Sequence, residues 1–170
     1  KHTILTAINS KYIHSNLAVY CLRAYAKPYI DEVEIAEYTI NHLREDILAD
    51  IYRRKPDVAA ISCYIWNMEY VQSLLKDLKK VLPEVDIWLG GPEVSYDCEE
   101  VLVREPSVRG IMAGEGETTF RELLGWYHGE GSLAEIKGLV YRDEAGKFCR
   151  TGVREYEKLD ELPFVYGDMT

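Results

Sequence analysis

The sequence predicts a doubly wound α/β domain, a parallel sheet with helices on both faces. Three observations lead there. Short β-rich apolar runs alternate with amphipathic helical patterns as far as Gly129. Five such runs are each followed by a helix, the order that right-handed crossovers convert into a parallel sheet. The third run, residues 58–63 (Val-Ala-Ala-Ile-Ser-Cys), is apolar on both faces, as a strand in the middle of such a sheet must be.

Residues 3–8 read as the first strand and residues 15–26 as a helix with Leu17, Tyr20, Cys21 and Ala24 on one face. Residues 33–38 alternate Val33 and Ile35 with polar Glu34 and Glu37, which suggests an edge or half-exposed strand. A helix over residues 43–54 turns Ile47, Leu48 and Ile51 inward. The buried third strand then leads to a helix over residues 68–82, with Val71, Leu74, Leu75, Leu78 and Leu82 at helical spacing, stopped by Pro83. Residues 86–89 form the fourth strand, 98–104 a short helix, 108–113 the fifth strand and 118–127 the last helix of the set. Past Gly129 the pattern changes. Residues 138–142 and 147–150 flank Asp143-Glu144-Ala145-Gly146, a hairpin signature. Residues 151–170 are polar apart from Leu162-Pro163-Phe164. The expected organisation is an α/β domain over residues 1–129, a hairpin extension over 130–150 and a linker or docking tail over 151–170.

Composition narrows the function classes. The chain has 170 residues, 47% hydrophobic and 29% charged, enough to bury a core without metal or disulfide. Its 20 basic and 29 acidic residues give a net charge of -9, and a surface that acidic repels phosphate backbones and anionic membranes. No apolar run approaches the roughly 20 residues that span a bilayer. Cys21, Cys63, Cys98 and Cys149 lack metal-ligand or redox-pair spacing and read as reduced thiols of a cytoplasmic protein; the four histidines are equally scattered.

Ligands of open α/β sheets bind outside the carboxyl ends of the strands. The loops to inspect are therefore residues 9–15, 64–67, 90–97 and 114–117. A phosphate-accepting receiver domain needs acidic residues after its first and third strands and a lysine after its fifth, where this chain has Ile8-Asn9, Ser62-Cys63 and Ala113-Gly114. A dinucleotide site needs its glycines in the first turn. Here the Gly-x-Gly (Gly114-Glu115-Gly116) follows the fifth strand, has Thr119 in place of a third glycine, and sets carboxylates against any pyrophosphate. Gly90-Gly91-Pro92 ends a strand: two residues without Cβ either admit something large to the backbone or make a tight turn. If they admit a ligand, Gly91→Val is expected to block its path while the fold survives. Gly114 to Thr118 reads most plainly as a turn into a helix start, with Glu117 favourably placed against the helix dipole. Ser62 either donates to a ligand or bonds locally, Trp66 is either a contact or core, and Cys63 is a small buried residue without a histidine partner.

Taken together these loops resemble the amino-terminal domain of cobalamin-dependent radical SAM proteins. The residues that carry the resemblance are Asn9-Ser10-Lys11-Tyr12-Ile13-His14-Ser15-Asn16-Leu17, Ser62 through Tyr64 to Trp66-Asn67, Gly90-Gly91-Pro92-Glu93-Val94, and Gly114-Glu115-Gly116-Glu117. Leu159-Asp160-Glu161-Leu162-Pro163-Phe164 resembles that family's linker into a following barrel. The resemblance implies a flavodoxin-like domain that binds cobalamin (vitamin B12), with the nucleotide tail of the corrinoid buried among these loops. The expected contacts are Asn9, Ser10, Tyr12, His14, Ser15, Ser62, Tyr64, Trp66, Asn67, Gly90, Gly91, Pro92, Glu93, Gly114, Glu115, Gly116 and Glu117.

The family's barrel carries a Cys-x3-Cys-x2-Cys motif for a [4Fe-4S] cluster and binds S-adenosylmethionine. That motif is absent here, so these residues alone are expected to be non-catalytic, with a C-terminal radical SAM domain as partner and methyl transfer or related radical chemistry as the activity of the whole. The alternatives are a stand-alone ligand sensor or carrier, or an interaction domain. The Asp-x-His-x-x-Gly motif of other cobalamin domains is also missing: Tyr12 stands two before His14 and Leu17 three after. His14 is therefore not expected to ligate cobalt.

Overall fold

The structure, a computed structural model, describes residues 1–10 and 16–154. Its strands are β1 (Thr3–Asn9), β2 (Val33–Thr39), β3 (Val58–Ser62), β4 (Asp86–Gly90), β5 (Gly110–Met112), β6 (Leu139–Arg142) and β7 (Phe148–Arg150). They form one seven-stranded sheet in the order β2-β1-β3-β4-β5-β6-β7. The first five pair in parallel, as expected, and their 2-1-3-4-5 order is that of the flavodoxin-like fold, with the switch point between β1 and β3. The expected hairpin exists but does not stand apart: β6 pairs antiparallel with β5, Ile111 opposite Val140, and continues the sheet. Its turn is held by Asp143, whose Oδ1 accepts from the backbone N–H of Ala145 (2.9 Å) and Lys147 (2.8 Å).

The helices are α1 (Leu17–Tyr25), α2 (Arg44–Arg54), α3 (Met68–Val81), α4 (Cys98–Arg104) and α5 (Glu117–Tyr127). Consecutive residues of the central strands feed opposite cores, because side chains alternate across a pleated sheet. Ile4, Ala59, Ile87 and Ile111 face α2, α3 and α4. Leu5, Ala60, Trp88 and Met112 face α1 and α5. Helix α3 buries four of the five residues of the expected stripe, Val71, Leu74, Leu75 and Leu78, while Leu82 is half-buried at its C-cap. Helix α1 departs from expectation: it buries Val19 and Ala24, while Leu17 is 44% exposed. Leu-Ala-Val-Tyr-Cys-Leu is apolar on every side, so its periodicity selects no face and packing decides. Among the described residues no helix is long and apolar enough to cross a membrane. The expected tail lies mostly outside them.

Candidate functional site

The pairing register creates an opening at the carboxyl edge of the sheet. Ala7, Ser62, Gly90 and Met112 lie side by side across β1, β3, β4 and β5. Alternation places this row on the α1/α5 side. Ser62 contributes a short side chain and Gly90 none, so a gap opens in front of Met112. Among the described residues, a Cβ built on Gly90 has Met112 O, at 3.7 Å, as its nearest neighbour. The result is a mainly apolar slot of about 380 Å3, walled by Ala18 and Leu22 of α1 and open towards the loops after β3, β4 and β5. Its volume falls within the range of small-molecule sites. One row deeper the sheet is filled by fully buried Trp88. The indole Nε1 donates to Tyr127 Oη (2.9 Å), which donates to Asp86 Oδ2 (2.7 Å). Burial, then that carboxylate, push the Tyr127 phenol pKa up, so it stays neutral and the chain of bonds intact.

Each loop is fixed by a different device. After β3, buried Asn67 acts as a bracket: Nδ2 donates to Ile8 O (3.0 Å) and Ser62 O (3.1 Å), and Oδ1 accepts from Tyr64 N (2.9 Å). Tyr64 lines the slot and stacks on Trp66 at 4.4 Å. After β4, Gly91 has φ +101°, and a Cβ there would stand 2.4 Å from Cys63 O. The expectation that Gly91→Val spares the fold is therefore wrong: this glycine is required by the close approach of the β3 and β4 exits. Ser95 ties the next two loops together, its Oγ donating to Gly91 O (2.8 Å) and accepting from Gly114 N (3.2 Å).

After β5, Gly116 caps α5, with Phe120 N donating to Gly116 O (2.7 Å) and Glu117 in the first turn, so the plain reading of this turn holds. Among the described residues lining the slot, Glu115 and Glu117 carry charge and none is cationic. Cys63 is fully buried, and burial, reinforced by Glu93, pushes its thiol pKa up to about 12. It is inert packing, not a nucleophile.

Nine expected residues line the slot: Ser62, Tyr64, Gly90, Gly91, Pro92, Gly114, Glu115, Gly116 and Glu117. Five others do not. Asn67 spends its carboxamide on the backbone, and Asn9 donates to Glu37 Oε1 (3.2 Å). Ser10 and Glu93 are exposed and do not line the slot. Trp66, 47% exposed and stacked on Tyr64, is neither core nor lining. Tyr12, His14 and Ser15 lie outside the described residues. Sequence reasoning missed the apolar part of the slot, Leu5, Ala18, Leu22 and Met112, because these read as ordinary core residues. It also passed over Ser95, which lies within the 90–97 loop but was not singled out.

The sequence matches the B12 binding domain family over residues 4–124. A cobalamin-dependent radical SAM methyltransferase, TokK of Streptomyces tokunonensis, is 40% identical over 70 residues, 41% of this chain and 10% of that protein. An uncharacterized methyltransferase of Pyrococcus horikoshii is 30% identical over 125 residues, 73% of this chain and 27% of its own length. The structure of OxsB, a cobalamin-dependent S-adenosylmethionine radical enzyme with aqua-cobalamin and S-adenosylmethionine bound, shares the fold with a TM-score of 0.76 at 21% identity, covering 94% of this chain and 23% of that one. The chain thus spans between 10% and 27% of the length of these three proteins.

Proposed function

From the premise that the chain belongs to the B12-binding domain family, we propose that the slot at Gly90 receives the nucleotide tail of cobalamin, and that this domain serves as the corrinoid module of a radical SAM methyltransferase. The observation that carries the assignment is the gap in the row Ser62–Gly90–Met112. A slot left open by an absent Cβ suits a flat aromatic base, which gains by leaving water against apolar walls. The site has no cationic side chain among its described residues and two carboxylates, an unfavourable setting for the multiply charged phosphates of FMN or NAD.

Bound cobalamin supplies a cobalt centre able to carry a methyl group. The chain's own work is to hold it: Ala18, Leu22 and Met112 exclude water from the tail, and the glycine turns let the ligand approach the backbone. Tyr12, His14 and Ser15 are proposed to complete the contacts, with His14 not ligating cobalt. Generation of the radical, the [4Fe-4S] cluster and S-adenosylmethionine belong in this reading to a partner barrel. Side-by-side titration with hydroxocobalamin, FMN and NAD tests the proposal. Saturable corrinoid binding with no nucleotide binding is expected; tight FMN or NAD binding without a corrinoid effect would overturn it.

A further inference from the structure

We infer that Glu37 is a positioning residue that sets the tail slot from outside it, an inference that rests on the cobalamin reading above. Strand β2 sits at the sheet edge, and Val33, Ile35 and Glu37 share the face on which α1 lies. The first two pack there as apolar residues should. Glu37 puts a half-buried carboxylate on the same face, under the start of the helix. It accepts three hydrogen bonds. Oε1 takes Asn9 Nδ2 (3.2 Å) from the end of β1 and Asn16 N (2.7 Å) from the entry of α1, while Oε2 takes Tyr20 Oη (2.8 Å) from the first turn of α1.

One side chain therefore joins the end of β1 to the beginning of α1. The consequence reaches the slot through the helix. Asn16, held by Glu37, is itself the N-cap of α1: its Oδ1 accepts from Ala18 N (3.1 Å). Ala18 and, one turn on, Leu22 are the wall facing Gly90. With only nine residues, α1 has little intrinsic stability and takes its position from such contacts. Glu37 thus fixes the slot width without lining it. A hydrogen-bonded carboxylate there also suits the positive end of the helix dipole.

The test compares corrinoids that differ only in the part the slot is proposed to hold. Affinities of the 170-residue chain for hydroxocobalamin and for cobinamide, which lacks the nucleotide tail, give a preference ratio. Glu37→Leu removes the carboxylate that joins Asn9, Asn16 and Tyr20, and should cut that ratio by roughly tenfold through weaker cobalamin binding. Glu37→Gln still accepts both amide bonds on its carbonyl oxygen and can donate to the Tyr20 hydroxyl, so it should restore most of the ratio. Should Glu37→Leu not fold by circular dichroism, Tyr20→Phe decides, with an expected loss of about threefold. A folded variant with an unchanged ratio, or equal loss for both corrinoids, overturns the inference. A wild-type chain without any preference for cobalamin refutes the tail slot itself, and so separates that failure from this one.

Discussion

Gly90→Val brings the slot geometry to a quantitative test. The position lies at the end of a central parallel strand, between Ser62 and Met112, and is not among the glycines with positive φ. Among the described residues its Cβ would have only Met112 O within 4 Å, at an ordinary 3.7 Å, so the fold accepts the side chain and the slot loses the space. Valine places three carbons where the ligand would lie. At about 0.8 kcal/mol per displaced methylene contact, binding should weaken by about 2 kcal/mol, roughly thirtyfold in Kd. Gly90→Ala, with one carbon, should cost about fourfold. Stability should move the other way, because replacing an unstrained glycine stabilises a chain by about 0.5–1 kcal/mol through the unfolded state. The assay is equilibrium titration of hydroxocobalamin absorbance beside thermal unfolding of the ligand-free chain. A valine variant at least as stable as wild type and binding cobalamin equally well would refute the reasoning.

The remaining expectations concern the surrounding frame. Gly91→Ala should destabilise the fold by about 2–4 kcal/mol in urea unfolding, since it combines a strained φ with a Cβ pressed on Cys63 O; a loss under 1 kcal/mol would contradict the close approach. Cys63, buried and with its thiol pKa raised to about 12, should resist alkylation at pH 8 in the native chain and react once it unfolds; rapid native labelling found by mass spectrometry would show the β3 exit to be open. Glu32 accepts from His128 Nε2 (2.8 Å), and this bond holds its carboxyl below the usual range. Its folded pKa being depressed, the small stabilisation is present above the unfolded value of about 4.3 and is lost as pH falls through the folded one. Melting temperature followed from pH 6 to 3 should therefore drop slightly less in Glu32→Gln than in wild type, and identical profiles would remove the pair from the account.

The alternation of strands and helices follows from patterns the chain displays openly: apolar runs for β1 and β3, punctuated helices between them, and Gly90-Gly91-Pro92 and Gly114-Glu115-Gly116 marking two strand ends; the strand order was implied only by the flavodoxin-like resemblance. The slot itself was hidden because it depends on register. Nothing local says that Gly90 stands between Ser62 and Met112, or that α1 turns Ala18 and Leu22 towards that gap. Gly90 and Gly91 look alike in sequence, yet one keeps space open and the other is required by a backbone crossing. Asn67 lay among recognisable loop residues but serves the scaffold, since its buried carboxamide bonds three backbone groups, at the ends of β1 and β3 and in the loop after β3. Glu37 was misplaced in the sequence reading, which set it with Glu34 as the polar side of the strand; with period two it shares the face of Val33 and Ile35, so its carboxylate had to find donors beneath a helix.

Backbone amide NMR of the chain during titration with hydroxocobalamin, in which cobalt(III) is diamagnetic, tests the central claim most directly. The largest shift changes should fall on Ser62, Gly90, Met112, Gly116, Ala18 and Leu22, the residues surrounding the slot. Changes centred instead on the opposite end of α5, around Tyr29, Gly125 and Glu130, would place the ligand in the cavity there and contradict the slot.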